Sequence, residues 1–301
     1  MLGSRAKVIA EQRTAMVHCT MGRSIDTIMA RVSERSFEPR PLEPDAVDAV
    51  RALLERESAP GPFGGASRFV MAGSDEMQAL GRLGTYGVIR GAPGFVIGVI
   101  PGGARAMEDF GYRFEGVVLA ATALGLGTCW LAGTFNRSAA SRLAGLSDVE
   151  IVPAVTPIGY PASRRTLVDG ALRLVARSSS RIAFEELFHD SVPGRPLTRE
   201  AAGRWAEVLE CVRRGPSASN RQPWRIVLED EQLHLFLAEN PLYNRVLGSI
   251  RLQSIDMGIA MRHVAEAAAD LGIPGSWSRA EAEAFQEAER EHGLSYVATW
   301  G

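Results

Sequence analysis

The chain repeats itself, and this repeat constrains its fold more than any other feature. Each half contains, in the same order, a Pro-Leu pair, a predicted helix, a loop with several prolines and a strand that begins Arg-x-Val. In the first half these are Pro41-Leu42, Pro44–Glu55, Ala59–Gly65 and Arg68-Phe69-Val70. In the second half they are Pro196-Leu197, Arg199–Val212, Pro216–Pro223 and Arg225-Ile226-Val227. Further on, Leu124-Gly125-x4-Trp130 recurs 147 residues later as Leu271-Gly272-x4-Trp277. Such repetition predicts duplication and fusion of one unit.

A fused pair of units constrains the domain organisation. A twofold dimer holds two equivalent interface sites, and a fused pair is free to lose one of them. We therefore predict an α+β fold with two interlocked halves, residues 24–178 and 179–301, that form one compact unit. Residues 1–23 are mixed basic and polar without the apolar core of a signal peptide, which indicates a disordered arm or an upstream-extended start.

The composition is typical of a soluble globular enzyme. The 301 residues are 46% hydrophobic and 23% charged, with a net charge of −2, so we expect a cytoplasmic protein without a nucleic-acid partner. No segment reaches the ~20 apolar residues that a membrane span needs. Cys19, Cys129 and Cys211 show no metal-ligand or disulfide spacing, which fits a reducing compartment. We interpret Cys129 as a small buried side chain.

Hydrophobic spacing predicts several helices and a few strands. A short helix follows Ser24, a candidate N-cap. Two Ala-rich helices, Phe114–Leu124 and Ile250–Leu271, are apolar nearly all round and should pack against each other. The predicted strands are Pro93–Pro101, Glu150–Tyr160, Arg225–Leu228, Leu233–Leu237 and Leu294–Trp300, of which the third and fourth form a hairpin.

Three segments carry a recognisable pattern. They are Arg31-Val32-Ser33-Glu34-Arg35, Leu124–Gly133, and Gly215-Pro216-Ser217-Ala218-Ser219-Asn220-Arg221-Gln222-Pro223-Trp224. They resemble the R-x-S-x-R phosphate motif, the flavin-facing segment and the flavin-contacting loop of the nitroreductase family, FMN-dependent NAD(P)H oxidoreductases that are usually homodimers. Almost two hundred residues separate the first segment from the third, and this wide spacing resembles the single-chain branch of that family. The resemblance implies a nitroreductase-like fold in which one chain mimics a twofold dimer.

The resemblance assigns the FMN phosphate and ribityl chain to Arg31 and Ser33, because the planar fork of arginine suits a phosphate. Arg181 resembles the arginine of the family's late R-x-P-x-E-E segment, which also reaches the phosphate. Arg164 and Arg165 compete with Arg181 for that position.

The flavin ring would meet residues from the first two segments. Arg35 occupies the family position for the cation beside flavin N1, where negative charge builds on reduction. Because Arg31 and Arg35 are four residues apart, they would share one face of the short helix. Ser33 lies two residues from each, so all three converge only if the helix ends here and the chain bends, a break that Pro39 and Pro41 would supply. Backbone groups of Leu131, Ala132 and Gly133 would face flavin N5.

The loop of the second half would close the other side of the flavin. The resemblance assigns Pro216, Ser217 and Asn220 to cofactor contacts. Gln222 and Trp224 are expected to brace the loop, with Trp224 in the core.

The two halves show complementary losses. The loop Ala59–Gly65 contains no Ser, Asn, Gln or Trp, and we interpret Arg177–Phe188 as lacking a second phosphate motif. The remaining parts would make one composite site, and therefore one FMN per chain. Since the surface that drives dimerisation would already be buried inside the chain, we expect a monomer.

No other chemistry is indicated by the sequence. The five histidines are scattered, and no H-E-x-x-H, G-x-S-x-G or G-x-G-x-x-G pattern occurs. The resemblance implies ping-pong hydride transfer from NAD(P)H, a transient co-substrate, through FMN to a nitroaromatic, a quinone or a similar electron-poor small molecule. The alternative is a protein that binds or sequesters flavin with little or no turnover.

Overall fold

The computed structural model describes residues 22–73, 76, 88–162, 180–240, 250–279, 285 and 290–301. In the first half the elements are α1 (Ser24–Ala30), α2 (Pro44–Glu57), β1 (Arg68–Gly73), β2 (Gly94–Val99), α3 (Ala106–Ala123), β3 (Gly127–Thr128), α4 (Arg137–Leu143) and β4 (Val155–Gly159). In the second half they are α5 (Phe184–Leu187), β5 (Phe188–Asp190), α6 (Arg199–Ala202), α7 (Ala206–Arg214), β6 (Trp224–Glu229), β7 (Gln232–Ala238), α8 (Leu252–Asp270), β8 (Trp277–Ser278) and β9 (Leu294–Trp300).

Two antiparallel sheets repeat one topology. The first sheet has the strand order β1-β2-β4-β3, and the second has β5-β6-β7-β9-β8. Without the parallel edge strand β5, the two orders correspond strand for strand. The predicted hairpin β6–β7 pairs Trp224 with Leu237 and turns at Asp230-Glu231, where both residues have positive φ. The duplication predicted from the sequence is therefore present in the fold.

The long helices α3 and α8 cross at the centre, as predicted. A Cβ on Gly111 would overlap the carbonyl oxygen of Ile255, and a Cβ on Gly258 would overlap that of Glu108. Gly111 and Gly258 are 147 residues apart, and so are Glu108 and Ile255. The same contact thus occurs twice with the halves exchanged, as across a twofold axis. Glycine allows this close approach of the two backbones.

The repeated Leu-Gly pairs end these two helices. Leu124 and Leu271 are the C-cap residues, and Gly125 and Gly272 follow with φ of 73° and 66°. This left-handed conformation is the usual stop for a helix and strongly favours glycine. The repeat in the sequence is therefore a repeat of helix termination.

The cores of the two halves interlock. Ile25 and Ile28 of α1 pack in the second half's core with Trp205 and Trp224, while Ile255 of α8 packs in the first half's core. The division into residues 24–178 and 179–301 stays a prediction, because each half buries side chains of the other. Residues 1–21 and 163–179 lie outside the described residues.

Several predicted boundaries were wrong. Ser24 is the first helical residue instead of the N-cap, and its Oγ donates a hydrogen bond to Glu266 Oε2 at 2.7 Å. The predicted helix Arg199–Val212 is broken at Gly203, where φ is 53°. Helix α3 begins eight residues before Phe114. Of the predicted strand Glu150–Tyr160, only Val155–Gly159 belongs to the sheet. No helix in the described part of the chain is long and apolar enough to span a bilayer.

Candidate functional site

The R-x-S-x-R segment begins where α1 ends. Arg31 is the C-cap, so the prediction that Arg31 and Arg35 share a helical face was wrong. The chain instead runs extended, and the Glu34 amide donates a hydrogen bond to the Thr128 carbonyl oxygen at 2.8 Å. Ser33 forms a bridge with Thr128 as well. The first motif is therefore attached to β3, which lies within the segment Leu124–Gly133.

Two arginines of this motif carry buried nitrogen atoms without a partner. Arg31 is only 8% exposed. Within the described residues, Arg31 Nε and Arg35 Nη1 are buried and have no hydrogen-bond partner. The nearest carboxylate oxygen paired with Arg31, Oε1 of Glu115, lies 3.9 Å from Nε, beyond hydrogen-bond distance. Buried cationic donors in this state indicate a site for an anion.

Arg181 brings the second half to the same place. Its guanidinium donates hydrogen bonds to Asn220 Oδ1 at 3.1 Å and to the Arg214 carbonyl oxygen at 3.1 Å. Burial, followed by the positive charges of Arg31, Arg214 and Arg213, lowers the pKa of Arg181 to about 10. We call Arg31, Arg181, Arg213 and Arg214 the arginine cluster. It joins residues of both halves. Arg213 is paired with Glu210 at 2.8 Å, while burial and the other arginines lower the pKa of Arg181.

The second half carries a five-residue segment of the same pattern as the first motif. Arg177-Ser178-Ser179-Ser180-Arg181 does have the letters R-x-S-x-R, so the interpretation that the second half lacks them was wrong. Its last residue, Arg181, lies in the arginine cluster with Arg31 instead of building a separate site. Residues 164 and 165, the competing arginines, lie outside the described residues together with residues 177–179.

The loop after α7 is held in a strained conformation. Ser219, Asn220 and Gln222 have φ of 49°, 55° and 48°, a region that non-glycine residues rarely occupy. Ser217 Oγ accepts a hydrogen bond from the Gln222 amide at 2.9 Å, and Asp256 Oδ1 accepts one from the Ala218 amide at 3.0 Å. Strain of this kind is found where a loop must present groups to a ligand.

The bracing roles predicted for this loop are confirmed. Gln222 is 2% exposed, and its Oε1 accepts a hydrogen bond from the Ile182 amide at 3.2 Å. Trp224 is fully buried in the core. Pro216 is half-buried beside Ser217. The contacts of Pro216, Ser217 and Asn220 with a cofactor stay predictions.

The predicted ring-facing segment offers fewer backbone groups than expected. Leu131 exchanges both its amide and its carbonyl with Val155, at 2.9 Å each, so neither is available to a ligand. The Ala132 carbonyl accepts a hydrogen bond from Arg137 Nη2 at 2.7 Å. Gly133 is exposed. Contacts of Gly133 and of the Ala132 amide with a flavin ring stay predictions.

Cys129 links this segment to the motif arginines. Burial raises the pKa of the Cys129 thiol, while the nearby positive charges of Arg35 and Arg31 oppose the rise. Cys129 is 4% exposed, which confirms its interpretation as a small buried side chain. Arg35, Arg31 and the start of the ring-facing segment are therefore neighbours.

Sequence reasoning missed a polar network beneath the site. Glu115 and His263 are fully buried, with Nε2 of His263 2.9 Å from Oε1 of Glu115. Trp130 Nε1 donates a hydrogen bond to Oε2 of Glu115 at 2.7 Å. A charged residue on a helix that is otherwise apolar nearly all round was the available signal. Among the described residues, no group of three or more His, Cys, Asp or Glu side chains could hold a metal ion.

In the first half, the junction between α2 and its loop corresponds to the junction at Arg214 in the second half, and its contacts are different. We call this region, which includes Glu57, Arg113 and Arg262, the paired end. Glu57, the last residue of α2, accepts hydrogen bonds from Arg262 Nη1 and Nη2 at 2.9 Å and 3.2 Å. Arg113 lies 3.6 Å from the same carboxylate. The loop Ala59–Gly65 is held by Asp109, which accepts hydrogen bonds from the loop amides. The arginines at this end are already paired.

Comparison with known proteins agrees with the fold. A "putative nitroreductase" of known structure from Thermotoga maritima is 17% identical, with a TM-score of 0.58 over 93% of this chain and 93% of its own. A "putative nitroreductase" from Desulfovibrio desulfuricans, solved in complex with FMN, is 24% identical over 49% of this chain and 94% of its own, with a TM-score of 0.39. No curated protein matches the chain. The family model described as "Putative TM nitroreductase" matches residues 24–268. With most of its length matched by that model, the chain belongs to this nitroreductase family.

Proposed function

We propose that this protein is a cytosolic FMN-dependent NAD(P)H oxidoreductase with one FMN bound between its halves. Its acceptor would be a nitroaromatic, a quinone or a similar electron-poor small molecule. Membership of a nitroreductase family supports a flavin-dependent oxidoreductase in general. The nicotinamide donor, the acceptor class and the ping-pong order are the finer parts of the proposal.

The observation that carries the proposal is the arginine cluster. Buried cations are rare unless an anion neutralises them. Here the pKa of Arg181 is lowered by burial and by neighbouring arginines, and Arg31 Nε is buried without a hydrogen-bond partner among the described residues. A dianionic phosphate supplies the missing charge and the missing acceptors. The residues present therefore fit the phosphate of FMN.

The other parts of the site are arranged around that phosphate position. Arg31 and Arg181 would hold the phosphate, with Ser33 at the ribityl chain. Arg35, next to Cys129, would place its charge at the ring. When bound, FMN would supply the hydride transfer, so the protein needs no acid or base of its own. The chain's residues bind, orient and surround the cofactor.

Flavin content tests the proposal directly. We expect purified protein to be yellow and to release close to one FMN per chain on heating, because the arginines of the paired end already contact Glu57. A value near two would contradict the single composite site, and no flavin after reconstitution would overturn the cofactor assignment. The mass by light scattering, with flavin bound, should be that of a monomer.

Anaerobic reduction separates an enzyme from a flavin store. We expect NADH or NADPH to bleach the bound flavin and a quinone or nitroaromatic to restore its colour. A bound flavin that neither nucleotide reduces would favour the sequestering alternative.

A further inference from the structure

One buried carboxylate connects both halves of the candidate site. Glu115 lies on α3 of the first half, and His263 lies on α8 of the second. Trp130, which donates a hydrogen bond to Glu115, directly precedes Leu131 at the start of the ring-facing backbone. Arg31 Nε stands 3.9 Å from Glu115 Oε1, near but not hydrogen-bonded. Glu115 is thus placed to capture Arg31 or to leave it to a ligand.

The geometry fixes a proton between Glu115 and His263. Nδ1 of His263 is 2.7 Å from the carbonyl oxygen of Cys211. A carbonyl only accepts, so Nδ1 carries a hydrogen. The 2.9 Å contact of Nε2 with Glu115 Oε1 then requires a second proton, since two lone pairs at that distance repel. Whether this proton sits on the imidazole or on the carboxyl, the pair has no net charge.

The charged group nearest to this pair in the described contacts is Arg31, which follows α1. Cys211 of α7 has its carbonyl oxygen against His263, and Glu57 of α2 and Arg262 of α8 lie beside Gly116, the residue after Glu115. Glu57 and Arg262 are hydrogen-bonded to each other. Burial raises the pKa of the Cys211 thiol to about 12, so it is neutral near pH 7. Arg31 is therefore the cation whose state depends on Glu115.

We propose that His263 is a positioning residue of the anion site, acting through Glu115. By sharing a proton with Glu115, it keeps this carboxylate from pairing with Arg31, so Arg31 stays available to the phosphate of FMN. The inference rests on the proposed function, since the ligand is that phosphate. It also assigns the second half a role at the phosphate end of the site.

His263→Asn tests the role of the shared proton. Asparagine can still donate to the Cys211 carbonyl but offers nothing to Glu115. We expect FMN affinity, measured by fluorescence quenching, to fall about tenfold at pH 8. Riboflavin, which lacks the phosphate, should bind the variant and the wild type equally.

A second substitution separates this role from simple loss of packing. Glu115→Gln in the His263→Asn background removes the charge that captures Arg31 but can still accept from Trp130. We expect FMN affinity to return towards the wild-type value, whereas a packing role would make the two losses add. An affinity of the single variant equal to wild type would overturn the inference while leaving the proposed function standing. Wild-type protein that does not bind FMN would instead overturn the proposed function.

A measurement on the unaltered protein tests the proton assignment even if the variant fails to fold. Nitrogen NMR of the histidine rings should show a hydrogen on Nδ1 of His263. A His263 ring without that hydrogen would overturn the proton assignment and the inference with it.

Discussion

The two ends of the repeat share a backbone plan but differ in charge. Arg214 and Glu57 occupy equivalent positions, each directly before the C-cap of its helix. Arg214 adds its positive charge to that of Arg181, whereas Glu57 binds the guanidinium of Arg262 with both oxygens. The two equivalent positions therefore carry opposite charges. Duplication preserved the strands and helices and allowed the charges to diverge.

The central helices show the same divergence. Glu115 and Arg262 are 147 residues apart and therefore equivalent in the repeat. Burial lowers the pKa of Arg262, but Glu57 and Glu266 raise it more, so its charge is strongly held. Glu115 is instead occupied by His263 and Trp130. In the described part of the chain, Arg262 and Arg113 both lie against the Glu57 carboxylate, which supports the proposed single flavin per chain independently of the missing loop residues.

Arg262→Met should have the largest effect, and it acts on stability. Removing Arg262 takes away the bidentate partner of the buried Glu57 carboxylate and leaves it with Arg56 and Arg113, which costs about 3 kcal/mol, the low end for a broken buried pair. Urea denaturation of the apoprotein measures the loss. FMN affinity of the folded variant should stay unchanged, since Arg262 lies at the paired end. A loss below about 1 kcal/mol would show that this ion pair does not hold the two halves together.

Arg31→Ala should have the next largest effect, and it acts on binding. We expect FMN affinity to weaken by about 1.5–3 kcal/mol, the range for hydrogen bonds to a charged group. Riboflavin affinity should change little. Arg51→Ala, at an exposed position on α2, is the matched control. Equal losses for FMN and riboflavin would show that Arg31 does not serve the phosphate.

Most helices and strands could be predicted from the sequence because they depend on local residue patterns. The Leu-Gly pairs marked where α3 and α8 end, since only the left-handed conformation at Gly125 and Gly272 required glycine there. The break at Gly203 was missed because a glycine inside an apolar pattern reads equally well as a continuous helix. The exchange of α1 into the other half's core was not predictable, because Ile25 and Ile28 only show that one face is buried.

Less of the candidate site could be predicted from the sequence, because the site depends on contacts between the two halves. The motifs located Arg31, Arg35 and Asn220, but nothing in them indicated that Arg214 would add to the charge. The pairing of Glu115 with His263 joins residues 148 apart in the chain. Such a pair has no periodicity in the sequence, and only the crossing of α3 and α8 brings it together.

Asp109 and Asp256 are equivalent in the repeat and anchor the loops Ala59–Gly65 and Pro216–Pro223. Substituting each of them tests whether the two loops are anchored equally. Asp109 accepts from the Phe63 amide with one oxygen and from the Gly65 amide with the other, at 2.8 and 2.6 Å. Both oxygens of Asp256 instead face one amide, that of Ala218. Asn has one acceptor oxygen, so Asp109→Asn should cost about 1–3 kcal/mol, and Asp256→Asn less than about 1 kcal/mol.

The pH dependence of stability sharpens that test. Burial raises the pKa of Asp256 well above its usual value. The stability from a raised carboxyl pKa is complete below the unfolded-state value and is lost as pH rises through the folded-state value. Burial raises the pKa of Asp109 as well, though hydrogen bonds from the Phe63 and Gly65 amides oppose that rise. Wild-type unfolding free energy should therefore decline with rising pH, and Asp256→Asn should remove more of that decline than Asp109→Asn. Equal losses and equal pH profiles for the two variants would show that the loops are anchored alike.

Arg214→Glu should have the smallest effect on FMN affinity. It places at position 214 the negative charge that Glu57 carries at the equivalent position of the first half. Arg214 is exposed, so its charge is screened and reversal should weaken FMN binding by on the order of 1 kcal/mol. The difference from wild type should shrink as salt is added, because exposed charges are screened within a Debye length. Isothermal titration at low and high salt measures both values. The reciprocal Glu57→Arg should not raise the flavin content, because Ala59–Gly65 still lacks Ser and Asn. A second flavin in that variant would show that charge alone, and not the loop, separates the two ends.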